Sequence, residues 1–386
     1  MREYFHKIEM STLKLNLTDI RILGLMTGSS ADGLDLCLVH FSGDREDPDY
    51  EVLYSGEIPY PKKFQRAFQN PLLLDEAQIN DLDQALGIWL ADQVTNLNLQ
   101  FDCIGSHGQT IKHNPPDFSL QIGNPIFMAE RLKVSVIYDF RNADIKQGGQ
   151  GAPLIPIVDQ FLFKGPEDVL ALNIGGISNL TVIPKQNGDL PVLAWDTGPG
   201  NSLIDKAVQL YTTNKLSFDC DGTIAAQGKL NSELLKHLLK HEFYSTQPPR
   251  SAGQEQFGLN YFNQILKEFY PGTDQEFKDF IRTLTVLTAK TIATSAIDLL
   301  KLYSPHFLFV GGGGYYNSTL MRILKNELPG LQIEGINVSG INPKNKEAFG
   351  FAYLAYRHLN NLPGNIPSVT GAREEVVLGT RLRPIF

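Results

Sequence analysis

Short apolar runs separated by glycine- and aspartate-rich turns open the chain, at Ile22–Met26, Leu34–Phe41 and Tyr50–Ile58. Such runs predict strands joined as an antiparallel meander. The period then changes: over Asp75–Leu99, Ile79, Leu82, Leu86, Leu90 and Val94 recur at steps of three and four, the stripe of a helix lying on a sheet. Phe101–Ser106 and Val134–Tyr138 predict further strands, with a helix at Pro125–Leu132 between them. After that the plan starts again. Val169–Ile174, Leu180–Ile183 and Val192–Trp195 read as strands and Ser202–Tyr211 as a helix. Phe277–Tyr303 is the longest helical pattern, with Phe280, Leu284, Leu287, Ile292, Ala296 and Leu300 on its buried face. Phe307–Val310 is a strand entering a four-glycine turn, and Asn317–Leu328 and Lys344–Leu359 are helices. A strand meander followed by alternating helix and strand, twice over, describes two α/β lobes of similar design. No repeat is visible in the residues themselves.

Length changes little in that picture, because 386 residues exceed one hydrophobic core and suit two. The expected division is an extension over residues 1–20, a first lobe over 21–145 and a second over 146–344, with 345–386 packing back on the first. Charge narrows the partners. Acidic residues outnumber basic ones 42 to 34 and no lysine or arginine run could track a phosphate backbone, so nucleic acid is not expected. Cys37, Cys103 and Cys220 are widely spaced, which argues against a disulfide framework or structural zinc and for a reducing cytoplasm. With no apolar run of about 18 residues, no membrane span is expected.

Candidate chemistry lies in the turns. Gly24–Leu36 is a strand, a Gly28-Ser29-Ser30 corner with Gly33, and a second strand, so backbone N–H groups and hydroxyls can face an anion. No lysine follows the glycines and no helix opens there, which excludes a P-loop. Leu172–Ile183 has the same design, with Gly175, Gly176, Ser178 and Asn179 at its corner. One such hairpin per lobe could clamp a polyphosphate from two sides. Phe307–Tyr315 runs a buried strand into Gly311, Gly312, Gly313 and Gly314, where a flat ring or a phosphate can approach the backbone. Ala194–Asn201 puts Asp196 at the carboxyl end of a strand, where α/β folds present catalytic groups. The clusters around His107 and Gln109, Arg141 and Asp144, and Gly148–Gly151 could line a sugar pocket or be loop architecture. Pro248-Pro249-Arg250-Ser251 reads as a turn presenting a cation.

Taken in order, GLMTGSSADGLD, SHGQTI, DFRNADIKQGGQGAPLIP, LNIGGISNLT, WDTGPGNSLID, DGTIAAQG, PPRSAGQEQF, FVGGGGYYNSTLM and LPGNIPSVTGAREEVVLG resemble the anhydro-N-acetylmuramic acid kinase family from Arg21 onward. The resemblance implies an actin, hexokinase and Hsp70-like (ribonuclease H-like) α/β fold with ATP in the interlobe cleft. It implies a cytoplasmic enzyme that uses ATP and Mg2+ to phosphorylate 1,6-anhydro-N-acetylmuramic acid while water opens the anhydro ring. It assigns Gly28, Ser29, Ser30, Ala31, Asp32, Gly33, Leu34 and Asp35 to the ATP phosphates, with Gly175, Gly176, Ser178, Asn179, Gly311, Gly312 and Gly313. Asp196 becomes the base, and His107, Gln109, Arg141, Asp144 and Glu347 become the sugar-facing set. No metal ligands are assigned, and a homodimer is compatible. Gly123-Asn124-Pro125 stands where the family has Gly-His-Pro, which bears on sugar specificity. Other readings are a kinase for another anhydrosugar such as levoglucosan, and a non-catalytic sugar-responsive regulator. A regulator of that kind would carry a basic DNA-binding segment ahead of the first hairpin and a zinc-binding cysteine cluster, and neither pattern is in the sequence.

Overall fold

The computed structural model describes residues 17–28, 33–68, 74–247 and 250–385. Among these residues thirteen strands fall in three sheets. The first sheet begins with an antiparallel meander, β1 (Asp19–Met26), β2 (Gly33–Gly43) and β3 (Pro48–Pro59). On the other side of β1, β4 (Cys103–Ser106) and β7 (Ser135–Tyr138) add in parallel. A small hairpin, β5 (Gln109–Asn114) and β6 (Phe118–Ile122), lies between β4 and β7 in sequence. The second sheet repeats the pattern. β8 (Val169–Ile174), β9 (Ile177–Ile183) and β10 (Leu193–Pro199) form the meander, and β11 (Phe307–Gly311) and β12 (Gln332–Gly335) add in parallel beside β8. Read from the meander edge, the orders β3-β2-β1-β4-β7 and β10-β9-β8-β11-β12 are the same, so the duplication expected from the element pattern is present in topology. This is the two-lobed α/β architecture that the resemblance implies.

β13 (Thr380–Leu382) pairs antiparallel with β7 and closes the open edge of the first sheet. The helix Lys346–Leu359 lies across β1, β2 and β4. It sits so low that a Cβ on Gly24 would stand 1.9 Å from the Ala348 carbonyl oxygen, and one on Gly105 2.2 Å from that of Phe351. Glycine on the strands and alanine on the helix allow that approach. In the second lobe the helix Asp274–Leu300 packs on β9 and β10 and buries Phe280, Ile281, Leu284, Leu287, Ile292, Ala296 and Leu299. Leu300, assigned to that face by its spacing, is instead 37% exposed, and Leu299 takes the core position. Each lobe thus has its own core. No helix among the described residues is long and apolar enough to cross a membrane.

Parallel strands put their carboxyl ends on one side, and in such sheets ligands bind there. Gly28, His107 and Arg141 follow β1, β4 and β7, while Gly175 and Gly312 follow β8 and β11.

Candidate active site

A cavity of about 670 Å³ is lined from both lobes. The first contributes Arg141, His113 and Glu347; the second contributes Asn173, Asn179, Asp196 and Arg250, and Gln150 lines it from the connection between them. Asp196 owes its position to a break in the ladder. In β10 it stands opposite Asn179, and the next pair is Gly198 with Ser178, so Thr197 is an extra residue. A bulge of this kind bends the strand and re-aims the neighbouring side chain, and Gly198 supplies the positive φ (137°) that the bend uses. The Asp196 carboxylate accepts a hydrogen bond from the Ala252 N–H at 2.7 Å.

The opposite wall is charged. Asp139, in the left-handed region (φ 54°) after β7, turns the chain toward Arg141. Arg141 donates from Nε and Nη2 to His107 Nε2, at 3.1 and 2.9 Å, and from Nη1 to the Gly151 carbonyl at 2.8 Å. Burial lowers its guanidinium to about 10, against the pull of Glu347. Glu347 is pushed up by loss of solvent, with Lys346 and Arg141 opposing the shift. Next to it the Lys346 ammonium is buried against Asp159, 2.5 Å away, which ties the start of the helix Lys346–Leu359 to the helix Pro156–Phe163. Thr370 and Gly371 of the late chain also line the cavity, and the Thr370 carbonyl accepts from Gln150 N–H at 2.8 Å.

The anhydro-N-acetylmuramic acid kinase profile matches residues 20–384. The chain belongs to this family. It is 38% identical to the anhydro-N-acetylmuramic acid kinase of Caldanaerobacter subterraneus subsp. tengcongensis, over 93% of this chain and 96% of the relative. Relatives of the same name from Prochlorococcus marinus (strain MIT 9313) and Bacillus cereus (strain AH820) are also 38% identical. They cover 95% and 93% of this chain and 100% and 98% of their own lengths. The protein is therefore an enzyme, a kinase of this family.

Of the residues singled out in this kinase by sequence, Asp196, Asn179, Arg141 and Glu347 meet at the one cavity. Several others stand behind it. Asp144 is fully buried; its carboxylate accepts from Asn365 Nδ2 and Thr370 Oγ1, both at 2.7 Å, and from Gly151 N–H at 2.8 Å. It braces the wall instead of facing a sugar, because three donors already surround it. His107, 4% exposed, orients Arg141 and borders a second cavity of about 740 Å³ lined only by first-lobe residues and Leu382. Gln109 is buried too: its amide donates to the Gly28 carbonyl and accepts from Tyr60 Oη, each at 3.3 Å, so it holds the near end of the glycine corner. Ser178 is spent on Thr197 Oγ1 and the Gly198 carbonyl inside the bulge, and Leu34 points into the first-lobe core.

The backbone positions divide in the same way. Gly28, Gly33 and Asp35 flank the first corner, and Asp35 pairs with Met26 across it; Ser29, Ser30, Ala31 and Asp32 lie outside the described residues. The carbonyls of Gly175 and Gly176 accept from Gly200, Asn201 and Ser202 N–H, which knits the β8–β9 turn to the helix Ser202–Thr212. Gly312 has φ 81° and leans on Ile174, while nothing stands within 4 Å of where a Gly313 Cβ would be. The four glycines do not lead straight into a helix. A 3-10 turn, Gly313–Tyr316, intervenes, and Asn317 then caps Ser318–Glu327. Sequence reasoning gave Asn173 and Thr370 no role, and placed Gln150 in a cluster that could line a sugar pocket or be loop architecture. The only available signal was the last motif, whose place beside the cavity depends on a long-range contact.

Proposed function

We propose that the enzyme transfers the γ-phosphoryl group of ATP to the 6-oxygen of 1,6-anhydro-N-acetylmuramic acid while water opens the anhydro ring. The products are ADP and N-acetylmuramic acid 6-phosphate, a compound suited to recycling of cell-wall sugar. Asp196 takes a proton from water, the water oxygen bonds to the anomeric carbon, and the bond from that carbon to the 6-oxygen breaks. The electron pair left on the 6-oxygen attacks the γ-phosphorus, and the bond to ADP breaks. One base therefore serves both events, and positioning does most of the remaining work. The observation that carries this reading is a single carboxylate of the second lobe, Asp196, sharing a cavity with Arg141 and Glu347 of the first lobe's side.

Arg141 supports a sugar bearing a carboxylate over one without. It donates three hydrogen bonds to protein acceptors, and a guanidinium has five donors, so it can also hold the lactyl carboxylate. Open space beside Gly313 and the half-buried Gly28, Gly175 and Gly176 suit the approach of a triphosphate. Among the described residues no group of three or more His, Cys, Asp or Glu could hold a metal. Magnesium that comes with the triphosphate needs only one or two carboxylates, and Asp35 at the mouth of the first corner fits that need. Bound there, the ion would neutralise charge on the β- and γ-phosphate oxygens.

Turnover in oxygen-18 water tests the proposal. Label at the anomeric hydroxyl of a 6-phosphorylated product is expected, whereas a phosphorylated product without label would remove the ring-opening step. Asp196→Asn is expected to keep the fold and ATP binding and to lose on the order of a hundredfold in turnover. An unchanged rate would take the base role from Asp196.

A further inference from the structure

Arg250 lines the cavity, yet its guanidinium is turned toward the protein. Nε donates to the Asp196 carbonyl at 3.2 Å. Nη1 reaches the carbonyls of Phe243 and Tyr244 at 3.3 Å and Thr246 at 2.9 Å, and Nη2 reaches Ser295 Oγ at 3.4 Å. The group also lies over the Phe243 ring, 4.7 Å from its centre. Four of these five acceptors are backbone carbonyls, a use of arginine that fixes chain segments to one another.

The segment so fixed is the one that holds Asp196. Asp196 N–H donates to the Arg250 carbonyl at 2.9 Å, and two residues on, Ala252 N–H donates to Asp196 Oδ2 at 2.7 Å. Because the bulge at Thr197 interrupts β10 beside Asp196, the strand's own ladder cannot fix that side chain. Residues 250–252 take over the task. The backbone bond from Asp196 N–H to the Arg250 carbonyl sets the height of the segment, and the Ala252 N–H sets the rotation of the carboxylate.

We infer that Arg250 is a positioning residue for Asp196: by clamping residues 243–246 and 250–252 to the end of β10 it fixes the carboxylate that activates water. Nε and Nη1 are spent on carbonyls and Nη2 reaches Ser295, so the guanidinium faces the protein, whereas Arg141 is the better placed to take the sugar's carboxylate. A lysine would keep the charge but, with three donors on a point charge, could not reach the 196 carbonyl, the 243–246 carbonyls and Ser295 together.

The inference rests on Asp196 being the base, and a double-mutant cycle separates the two ideas. Arg250→Gln and Arg250→Lys are made in the native chain and in Asp196→Asn, and kcat and both KM values are measured. In the native chain kcat is expected to fall on the order of 10- to 100-fold, with Lys milder than Gln and each KM within about threefold of native. In the Asp196→Asn background the same changes are expected to cost less than about threefold, since there is no base left to misplace. An equal fold loss in both backgrounds overturns the inference, as does a KM rise for the sugar with kcat unchanged. Full activity of Arg250→Gln beside an impaired Asp196→Asn overturns the positioning role alone; full activity of Asp196→Asn overturns the base assignment with it. If Arg250→Gln does not fold, Arg250→Lys carries the cycle by the same criteria.

Discussion

His107 shows how one buried side chain can set the acid limit of the fold. Its Nδ1 lies 2.7 Å from the Gly108 carbonyl, which fixes the proton there, and Nε2 then accepts from Arg141. Burial, and next the Arg141 charge, hold its pKa well below the usual imidazole value. The unfolded chain therefore binds a proton near pH 6.5 that the folded chain refuses, so stability is complete above that pH and falls as the pH drops below it. One such group gives a slope of up to about 1.4 kcal/mol per pH unit. His113 and His241, also lowered mainly by burial, act in the same direction, and Glu347, raised by burial, acts in the opposite one. Urea midpoints at pH 7.5 and 5.5 should show the loss, and His107→Gln should flatten it; an unchanged slope in that variant would acquit His107. The same residue marks what the sequence could not tell. Ser-His-Gly-Gln, Arg-x-x-Asp and Gly-Gly-x-Ser are motifs rich in hydrogen-bonding groups, but residue type does not say which group faces the ligand. Asp196, Arg141 and Glu347 reach the cavity. Asp144, Gln109 and Ser178 satisfy backbone groups behind it, which only the fold reveals.

At the scale of elements, the contact between the helix Lys346–Leu359 and the first sheet is the most exacting. Gly24 and Gly105 leave no room for a methyl group against helix backbone, which cannot give way as a flexible side chain would. Gly24→Ala and Gly105→Ala are each expected to cost about 1–3 kcal/mol or more, read from the urea midpoint. A stability within about 0.5 kcal/mol of native, the range of a neutral surface substitution, would mean that the helix shifts freely. Amphipathic stripes made the long helices legible, and their starts could have been read more closely. Asp75 and Gln78 form a capping box before Glu76–Asn96, as do Thr273 and Glu276 before Asp274–Leu300, a few residues ahead of the Phe277 start inferred from apolar spacing. The β5–β6 hairpin escaped notice because Gln109, Lys112, His113 and Asn114 make its first strand too polar for an apolar pattern. Its buried residues, Gln109 and Ile111, alternate as a strand requires, yet only one of them is apolar.

In the whole molecule, two sheets of matching order face their strand ends toward one cavity, and the reaction needs water at one face of the sugar and none near the phosphoryl group. Closure of the lobes on the bound pair of substrates is the expected response. Small-angle scattering should give a smaller radius of gyration with the anhydrosugar and a non-hydrolysable ATP analogue together, and identical profiles with and without them would count against closure. The duplicated architecture was legible because each lobe repeats the same sequence of periods. The union of distant pieces was not: Glu347 and Thr370 reach a cavity begun by Arg141 through contacts more than two hundred residues apart, and no local pattern encodes them.

That arrangement also orders events in time. The five-stranded part of the first sheet is complete by Tyr138, but the helix that covers one of its faces starts at Lys346 and the strand that seals its edge at Thr380. During synthesis the early half must wait, its apolar surface bare, until the ribosome has made the entire second half, which carries its own core and can fold in the meantime. A nascent sheet therefore stays open on one face while more than two hundred residues are added, and the helix and strand that follow them decide whether it holds.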